Sequence, residues 1–300
     1  DCKAQGADTN VLVMSNHGAG WYGFGGDEDR GRRLNASEVR SAPNRRLGGG
    51  MTLANMREAV KGALEDAGIS KLDLFGFDAC LMAAYSALAA FHDFADYYLA
   101  SEATEPGHGW DYASVDPTAA DVPAFARKII DSFSLGKHGR WSHQSPKTLA
   151  LYDLSKFSTF RTSVRSVFQR MLTALRDQGD QTLSTAMTRA RSATTEFMGV
   201  AEKGSTKGIA DLQMFFQKLK ISCNMQGLDD AIAKMDDMVS HYAQGPGTPT
   251  AMGTGVFFPK KRSVQLYGGD VYPAWFYESR TDSLIGLWND LIAAYYSFQG

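Results

Sequence analysis

The chain has 300 residues, 44% of them hydrophobic, so it can bury a large core without the help of disulfide bonds. Its 31 basic and 33 acidic residues give a formal net charge of −2, which excludes an overall positive field that would attract nucleic acid or anionic lipid. No uninterrupted apolar stretch approaches the roughly 18 residues that a membrane span needs, so we expect a globular protein without a transmembrane segment.

The first half of the chain alternates strand and helix signals, which is typical of a parallel sheet with helices on its faces. Apolar runs at 10–14 and 72–77 predict two buried strands, and Thr52 and Gly68 mark the start and end of a helix between them. The pattern further predicts a helix from 82 to about 94, a strand near 97–101, a helix around 123–133 and a strand at 148–152. The first half therefore belongs to the α/β class.

The second half is dominated by long helical patterns, at 155–176, 180–197, 208–220 and 227–243. A short strand at 255–258 and a closing helix built on Leu284, Leu287, Trp288, Leu291 and Ile292 complete it. We therefore predict an α/β core over residues 1–154 and a helix-rich remainder over 155–300 that packs on this core. Because no linker separates the two parts, a single domain is the alternative.

The two predicted strands of the first half each run into a chemically capable residue. His17 follows the first strand, and Cys80 follows the second. Because catalytic groups gather at the carboxyl ends of parallel strands, we expect both side chains to emerge at one edge of the sheet and to face each other. A thiol becomes a strong nucleophile as a thiolate, which a nearby imidazole or the start of a helix near Met82 would stabilise.

His17 has a second use in this arrangement, since an imidazole can also protonate a leaving amine. The backbone N–H groups of Gly18 and Cys80 are candidates for an oxyanion hole. Taken alone, a Cys after a buried strand is more often a small core residue, and a His beside Gly is usually a turn residue. The joint pattern of two strands that end in His-Gly and in Asp-Ala-Cys favours a catalytic pair.

The other cysteines and histidines indicate no second site. An odd number of cysteines leaves at least one free thiol, for which Cys80 is the candidate. For Cys2 and Cys223, a disulfide bond and two separate thiols are the alternatives. No His shows metal-ligand spacing with another His or Cys, so we predict no metal site among them.

Three segments resemble the clostripain-like cysteine peptidases, which are relatives of the gingipains, legumains, caspases and separases. The segments are 16–21 (NHGAGW), 76–83 (GFDACLMA) and 100–110 (ASEATEPGHGW). Weaker likeness continues through 209–212, 255–259 and the helix at 288–296, so the resemblance covers nearly the whole chain.

The resemblance implies a caspase/hemoglobinase-like α/β/α sandwich with a mostly parallel sheet and a helical C-terminal half. It also implies a Cys80/His17 dyad whose chemistry needs no metal, and an endopeptidase that cuts protein or peptide substrates after Arg or Lys. A secreted or periplasmic location fits the family. Its members usually have further strands before the His-bearing strand, whereas nine residues precede Asn10 here. We therefore expect either a processed or truncated piece, or association with a missing N-terminal segment that supplies these strands from another chain.

The resemblance also implies that Asp78 is the acidic residue of the primary specificity pocket. A carboxylate two residues from the nucleophile points to the same side of an extended segment and can pair with a basic side chain. A helix-capping carboxylate is the alternative for Asp78. Glu102, Glu105 and Asp111 are further acids beside the expected cleft, with Glu102 and Glu105 taken as substrate-binding candidates, although loop carboxylates are more often merely solvated.

The loop after His17 is rich in Gly, Arg and Asp, and several family members mature by cutting themselves in this region. We therefore expect autocleavage of a zymogen within 25–47, with Arg30, Arg32 and Arg33 as the candidate sites. The acidic run at 27–29 is a candidate for calcium, which some relatives require. It lacks the ligand spacing of an EF-hand, so solvated surface is the favoured interpretation.

Two other functions remain open at this point. A relative with a different pocket would cut after an acidic or amide residue. A non-catalytic protein that keeps the fold would act as a binding or scaffolding protein, and the presence of His17, Gly18, Asp78 and Cys80 together argues against it.

Overall fold

The structure is a computed structural model that describes residues 8–25, 50–115, 118–119, 121–135, 147–197, 208–245, 248, 250–260, 265–266, 269–270 and 282–298. The helices within this part are α1 (Leu53–Ala67), α2 (Tyr85–Phe91), α3 (Val122–Leu135), α4 (Phe157–Arg176), α5 (Gln181–Ser192), α6 (Leu212–Ser222), α7 (Leu228–Met238) and α8 (Ser283–Ser297). The strands are β1 (Val11–Ser15), β2 (Leu72–Asp78), β3 (Ala95–Ala100), β4 (Thr148–Asp153), β5 (Glu196–Phe197), β6 (Ile209–Asp211), β7 (Val239–Gln244), β8 (Gly255–Phe257), β9 (Gln265–Leu266) and β10 (Gly269–Asp270).

The central sheet has five strands in the order β1-β2-β3-β4-β7. The first three strands are parallel, β4 is antiparallel to β3, and β7 is antiparallel to β4. Four of these five strands therefore run in the same direction, which confirms the predicted mostly parallel sheet. Two smaller sheets join β5-β6-β8 and β9-β10.

Helices cover both faces of the central sheet. Along β2, Phe75 and Phe77 point into the larger core, which they share with α1, α2 and α4, whereas Leu74 points into a second cluster with α3. Side chains alternate between the faces of a strand, so a strand that is apolar at every position indicates burial on both sides. The predicted α/β/α arrangement is confirmed. The larger core includes residues from both sides of position 154. The predicted domain boundary between residues 154 and 155 stays a prediction.

Helix α1 begins and ends where its sequence signals predict. The Thr52 hydroxyl accepts a hydrogen bond from the Asn55 N–H at 3.0 Å, and Gly68 adopts φ 62° at the other end. A left-handed backbone at this position suits glycine, which has no Cβ to clash. The sequence signals at Thr52 and Gly68 therefore predict both ends of α1 correctly.

The second half contains strands where helices were predicted. Residues 239–244 pair with β4, so the helix predicted over 227–243 ends at Met238. The helix predicted over 180–197 likewise ends at Ser192, before β5, and the helix predicted over 208–220 begins only at Leu212, after β6. Strands β5 and β6 pair with each other. Pairing with strands that are distant in sequence overrides the local helical pattern here. Among the described helices, none has the length and apolar character that crossing a membrane would require.

Candidate active site

The ends of β1 and β2 bring His17 and Cys80 to one edge of the sheet. Ser15 pairs with Asp78 at the last register position of the two parallel strands. His17 and Cys80 each lie two residues beyond this pair, so both leave the sheet at its carboxyl end. His17 is exposed and Cys80 is half-buried. The two residues therefore emerge together, as predicted.

The segment after His17 folds back onto the segment that carries Cys80. A Cβ on Gly18 would lie 2.1 Å from the carbonyl oxygen of Cys80, so only glycine allows this approach. The Gly25 N–H donates to the His17 carbonyl at 2.7 Å, and the His17 N–H donates to Asn16 Oδ1 at 2.6 Å. These contacts fix the backbone of His17 and place Gly18 against the cysteine.

The Cys80 thiol is held by its surroundings in the protonated form. Burial raises its pKa, and the carboxyls of Glu105 and Asp78 raise it further. Two contacts act in the opposite direction, because the Glu105 N–H, which points at Sγ from 3.2 Å, and the N–H of Cys80 itself favour the thiolate. A buried thiol of this kind needs a base to become nucleophilic.

The prediction that a helix starting near Met82 supports the thiolate is wrong. Residues 80–83 form turns, with Leu81 at φ 65°, and α2 begins only at Tyr85. Ala84, which precedes the helix, makes no side-chain capping bond. The helix therefore begins five residues after Cys80, whereas the sequence predicted a start two residues after it.

Asp78 lies under the loop that follows β3. Its Oδ2 accepts hydrogen bonds from the Trp110 N–H at 3.2 Å and from the Tyr112 hydroxyl at 2.8 Å. Gly109 adopts φ 66°, and a Cβ there would lie 2.7 Å from the same oxygen. The alternative that Asp78 caps a helix is wrong, because these contacts run to the 109–112 loop and not to α2. The carboxylate is 6% exposed.

Glu105 forms an acidic pair with Asp78. Its Oε1 accepts a hydrogen bond from the indole N–H of Trp110 at 3.2 Å. Burial raises the pKa of Glu105 well above its usual range, and the charge of Asp78 and a hydrogen bond with it raise the pKa further. When both carboxyls are ionised, Oε2 of Glu105 has no donor, whereas a protonated Glu105 can donate to Asp78. The raised pKa favours the protonated form of Glu105, next to Cys80.

Glu102 lies in the interior, away from solvent. It is 1% exposed, and its Oε2 accepts a hydrogen bond from the Gly253 N–H at 2.6 Å. The structure therefore gives no support to a role of Glu102 in contacting a substrate. The backbone around it is also tied down, because the N–H groups of Glu102 and Ala103 both donate to the Thr148 hydroxyl at 3.0 Å.

Asp211 is a buried partner of Glu102 that sequence reasoning did not find. Its Oδ1 caps α6 by accepting from the Met214 N–H at 2.8 Å, and its Oδ2 accepts from the Met252 N–H at 2.6 Å. Burial raises its pKa to about 7, and burial and the charge of Asp211 raise the pKa of Glu102 well above its usual range. An Asp directly before a helical run is a capping signal, but nothing local points to a glutamate 109 positions earlier.

Asp111 fixes the same loop to α3. Its Oδ1 accepts from the Ala113 N–H at 3.2 Å, and its Oδ2 accepts from the Ser132 hydroxyl. This gives Asp111 a structural task at the rim of the site, close to Trp110 and Tyr112.

Several predicted features lie outside the described residues, namely Cys2, the acidic run at 27–29 and the autocleavage candidates Arg30, Arg32 and Arg33. Within the part of the chain that the structure describes, Cys80 and Cys223 are free thiols. In that same part, no group of three or more His, Cys, Asp or Glu side chains is arranged to hold a metal ion.

A free thiol and an imidazole at one edge of an α/β/α sheet, beside a carboxyl pair, are typical of cysteine-type peptidases. The family model described as the clostripain family matches residues 2–288. The chain therefore belongs to the clostripain family, and it is a cysteine-type peptidase. No curated protein matches the chain in sequence.

Solved structures support the fold. A secreted C11 cysteine protease from Bacteroides thetaiotaomicron, solved with an irreversible peptide inhibitor, has 17% identity and a TM-score of 0.58 over 85% of this chain and 67% of its own. An inactive zymogen C11 protease from Parabacteroides distasonis has 16% identity and a TM-score of 0.59 over 96% of this chain and 72% of its own. A cysteine protease from B. fragilis has 18% identity and a TM-score of 0.54, with coverage of 70% and 85%.

Proposed function

We propose that this peptidase hydrolyses peptide bonds after Arg or Lys, with Cys80 as nucleophile and His17 as its acid/base partner. The observation that carries the proposal is the Asp78–Glu105 pair, which sets two buried carboxyls beside the sulfur that would attack the substrate. A buried acidic pair beside a nucleophile suits a substrate that brings a positive charge, because the cation offsets the cost of ionising both carboxyls.

The reaction begins with transfer of the Cys80 proton to His17. The sulfur attacks the carbonyl carbon of the scissile bond, and the N–H groups of Gly18 and Cys80 stabilise the oxyanion that forms. His17 then donates its proton to the leaving amine as the C–N bond breaks, which leaves a thioester on Cys80. Water then attacks the thioester carbon while His17 accepts a proton from it. The C–S bond breaks, His17 returns the proton to the Cys80 sulfur, and the carboxylic acid product is released. The close contact between Gly18 and Cys80 supports this placement of the two N–H groups.

The proposal is tested with peptidyl chloromethyl ketones that end in Arg, Lys, Asn or Asp, followed by intact-mass measurement of the wild type and of Cys80→Ala. We expect the Arg and Lys reagents to add one label per chain in the wild type and none in the variant. Labelling by the Asn or Asp reagent alone would replace the assigned pocket with one for non-basic residues. No Cys80-dependent labelling by any reagent would favour a non-catalytic scaffold.

We further propose that the chain is a zymogen that cuts itself within 25–47, at Arg30, Arg32 or Arg33. A basic residue in a loop that follows the catalytic histidine matches the specificity proposed for the pocket, and one relative of similar fold is described as an inactive zymogen. We also propose a secreted or periplasmic location, because another relative of similar fold is described as secreted.

Autocleavage predicts that the wild type and Cys80→Ala differ in intact mass. The wild type should separate into two fragments on a denaturing gel, whereas Cys80→Ala should remain one chain. Replacing Arg30, Arg32 and Arg33 together by Gln should also leave one chain. If the intact masses of the wild type and of Cys80→Ala differ only by the mass of the substitution, the proposed self-cutting is excluded.

A further inference from the structure

The hydrogen bonds around Asp78 leave its two oxygens unequal. Oδ2 accepts from both the Trp110 N–H and the Tyr112 hydroxyl, at 3.2 Å and 2.8 Å. A carboxylate oxygen has about two lone-pair sites, so these two donors occupy Oδ2. The Trp110 N–H is held in place because the 109–110 backbone lies directly against the carboxylate.

The second carboxyl of the pair, that of Glu105, lies within hydrogen-bonding reach of Asp78. Oε1 of Glu105 is occupied by the indole N–H of Trp110, and Oε2 is the oxygen without a donor when the pair is ionised. A cation that enters the pair therefore meets Oδ1 of Asp78 and Oε2 of Glu105, which are single oxygens from two different carboxyls.

This arrangement distinguishes the two basic side chains. An arginine guanidinium binds best when its planar fork meets both oxygens of one carboxylate, whereas a lysine ammonium is a compact charge with three donors that can reach two separate acceptors. We propose that the Tyr112 hydroxyl, by occupying Oδ2 of Asp78, sets the specificity of this site for Lys over Arg at the residue before the scissile bond. The inference rests on the proposed function and assigns Tyr112 as a specificity-determining residue.

The test compares kcat/KM for two fluorogenic peptides that differ only in Lys or Arg before the cleaved bond. The full-length protein is used for every variant, with the active fraction set by titration of Cys80. We expect the wild type to favour Lys at least roughly threefold, and Tyr112→Phe to shift the Lys/Arg ratio toward Arg by roughly three- to tenfold, which is the net effect of one ordinary hydrogen bond. Tyr112 is 49% exposed, so loss of its hydroxyl is compatible with folding.

Tyr242→Phe is the matched control, because Tyr242 is 39% exposed on β7, at the other edge of the sheet. Its Lys/Arg ratio should equal that of the wild type. A wild type that prefers Arg, or a Tyr112→Phe ratio within twofold of the wild type, overturns the inference while leaving cleavage after basic residues intact. Absence of Cys80-dependent cleavage of both peptides overturns the proposed function itself, and the inference with it.

Discussion

His17→Gln is expected to lower kcat/KM for a basic peptide substrate by roughly a thousandfold at pH 7. The reason lies in the environment of Cys80, where burial and the carboxyls of Glu105 and Asp78 raise the thiol pKa. Without a base, the reactive thiolate is then a small fraction of the protein at neutral pH. Below the raised pKa that fraction grows about tenfold per pH unit, so the residual rate of His17→Gln should climb steeply with pH.

Initial rates between pH 5.5 and 9.5 check this result. His241→Gln is the matched control, since His241 lies on β7 and pairs with Asp131 at 2.9 Å, away from the site. It should keep the wild-type rate and the wild-type pH profile. A His17→Gln protein that retains more than a tenth of the activity, or that shows the wild-type pH profile, would mean that another group accepts the thiol proton.

Stability is expected to fall as the pH rises from about 4 to 8, because of the buried pair Glu102 and Asp211. An unfolded Asp or Glu loses its proton near pH 4, whereas the folded protein holds a proton on Asp211 up to about pH 7 and on Glu102 beyond its usual range. In this window the folded state binds more protons than the unfolded state, so each rise in pH favours unfolding. We expect Asp211, whose pKa is raised from 3.8 to about 7, to lower the stability by about 4 kcal/mol across this window, and Glu102 to lower it further.

Glu102→Gln should reduce this pH dependence, because it removes one of the two groups with a raised pKa. The glutamine keeps an oxygen that can accept from the Gly253 N–H and carries no charge beside Asp211. Urea unfolding at pH 5, 6.5 and 8, in a Cys80→Ala background that prevents self-cutting, measures the difference. Glu65→Gln is the control, because the Glu65 side chain is 67% exposed on α1. Parallel stability curves for Glu102→Gln and the background would show that the pair does not titrate as described.

The local part of the fold was predictable from the sequence, and so was the emergence of His17 and Cys80 at one edge of the sheet. Strand β2 is apolar at nearly every position and α1 carries both a cap and a terminal glycine, so these signals act within one element. Two parallel strands then bring their ends to one edge without further information. The alternation along β2 also put Asp78 on the side of Cys80.

The non-local part was not predictable. The register of β7 depends on β4, and the segment 239–244 by itself continues a helical pattern. Glu102 and Glu105 stand three positions apart in one loop, yet one faces Asp211 in the interior and the other faces Asp78 at the site. Both are glutamates of the same loop, so only the packing of distant segments separates a carboxyl in the interior from one beside Asp78.

The loop that follows β3 touches both halves of the site. The Glu105 N–H points at the sulfur of Cys80, and the next turn of the same loop holds Asp78 through Trp110 and Tyr112. The contacts that we propose for selectivity and the contact to the proposed nucleophile therefore lie on one stretch of backbone. An engineer who redesigns residues 105–112 to accept a new side chain should expect turnover to change with it, and variants with altered preference will need to be screened for speed as well.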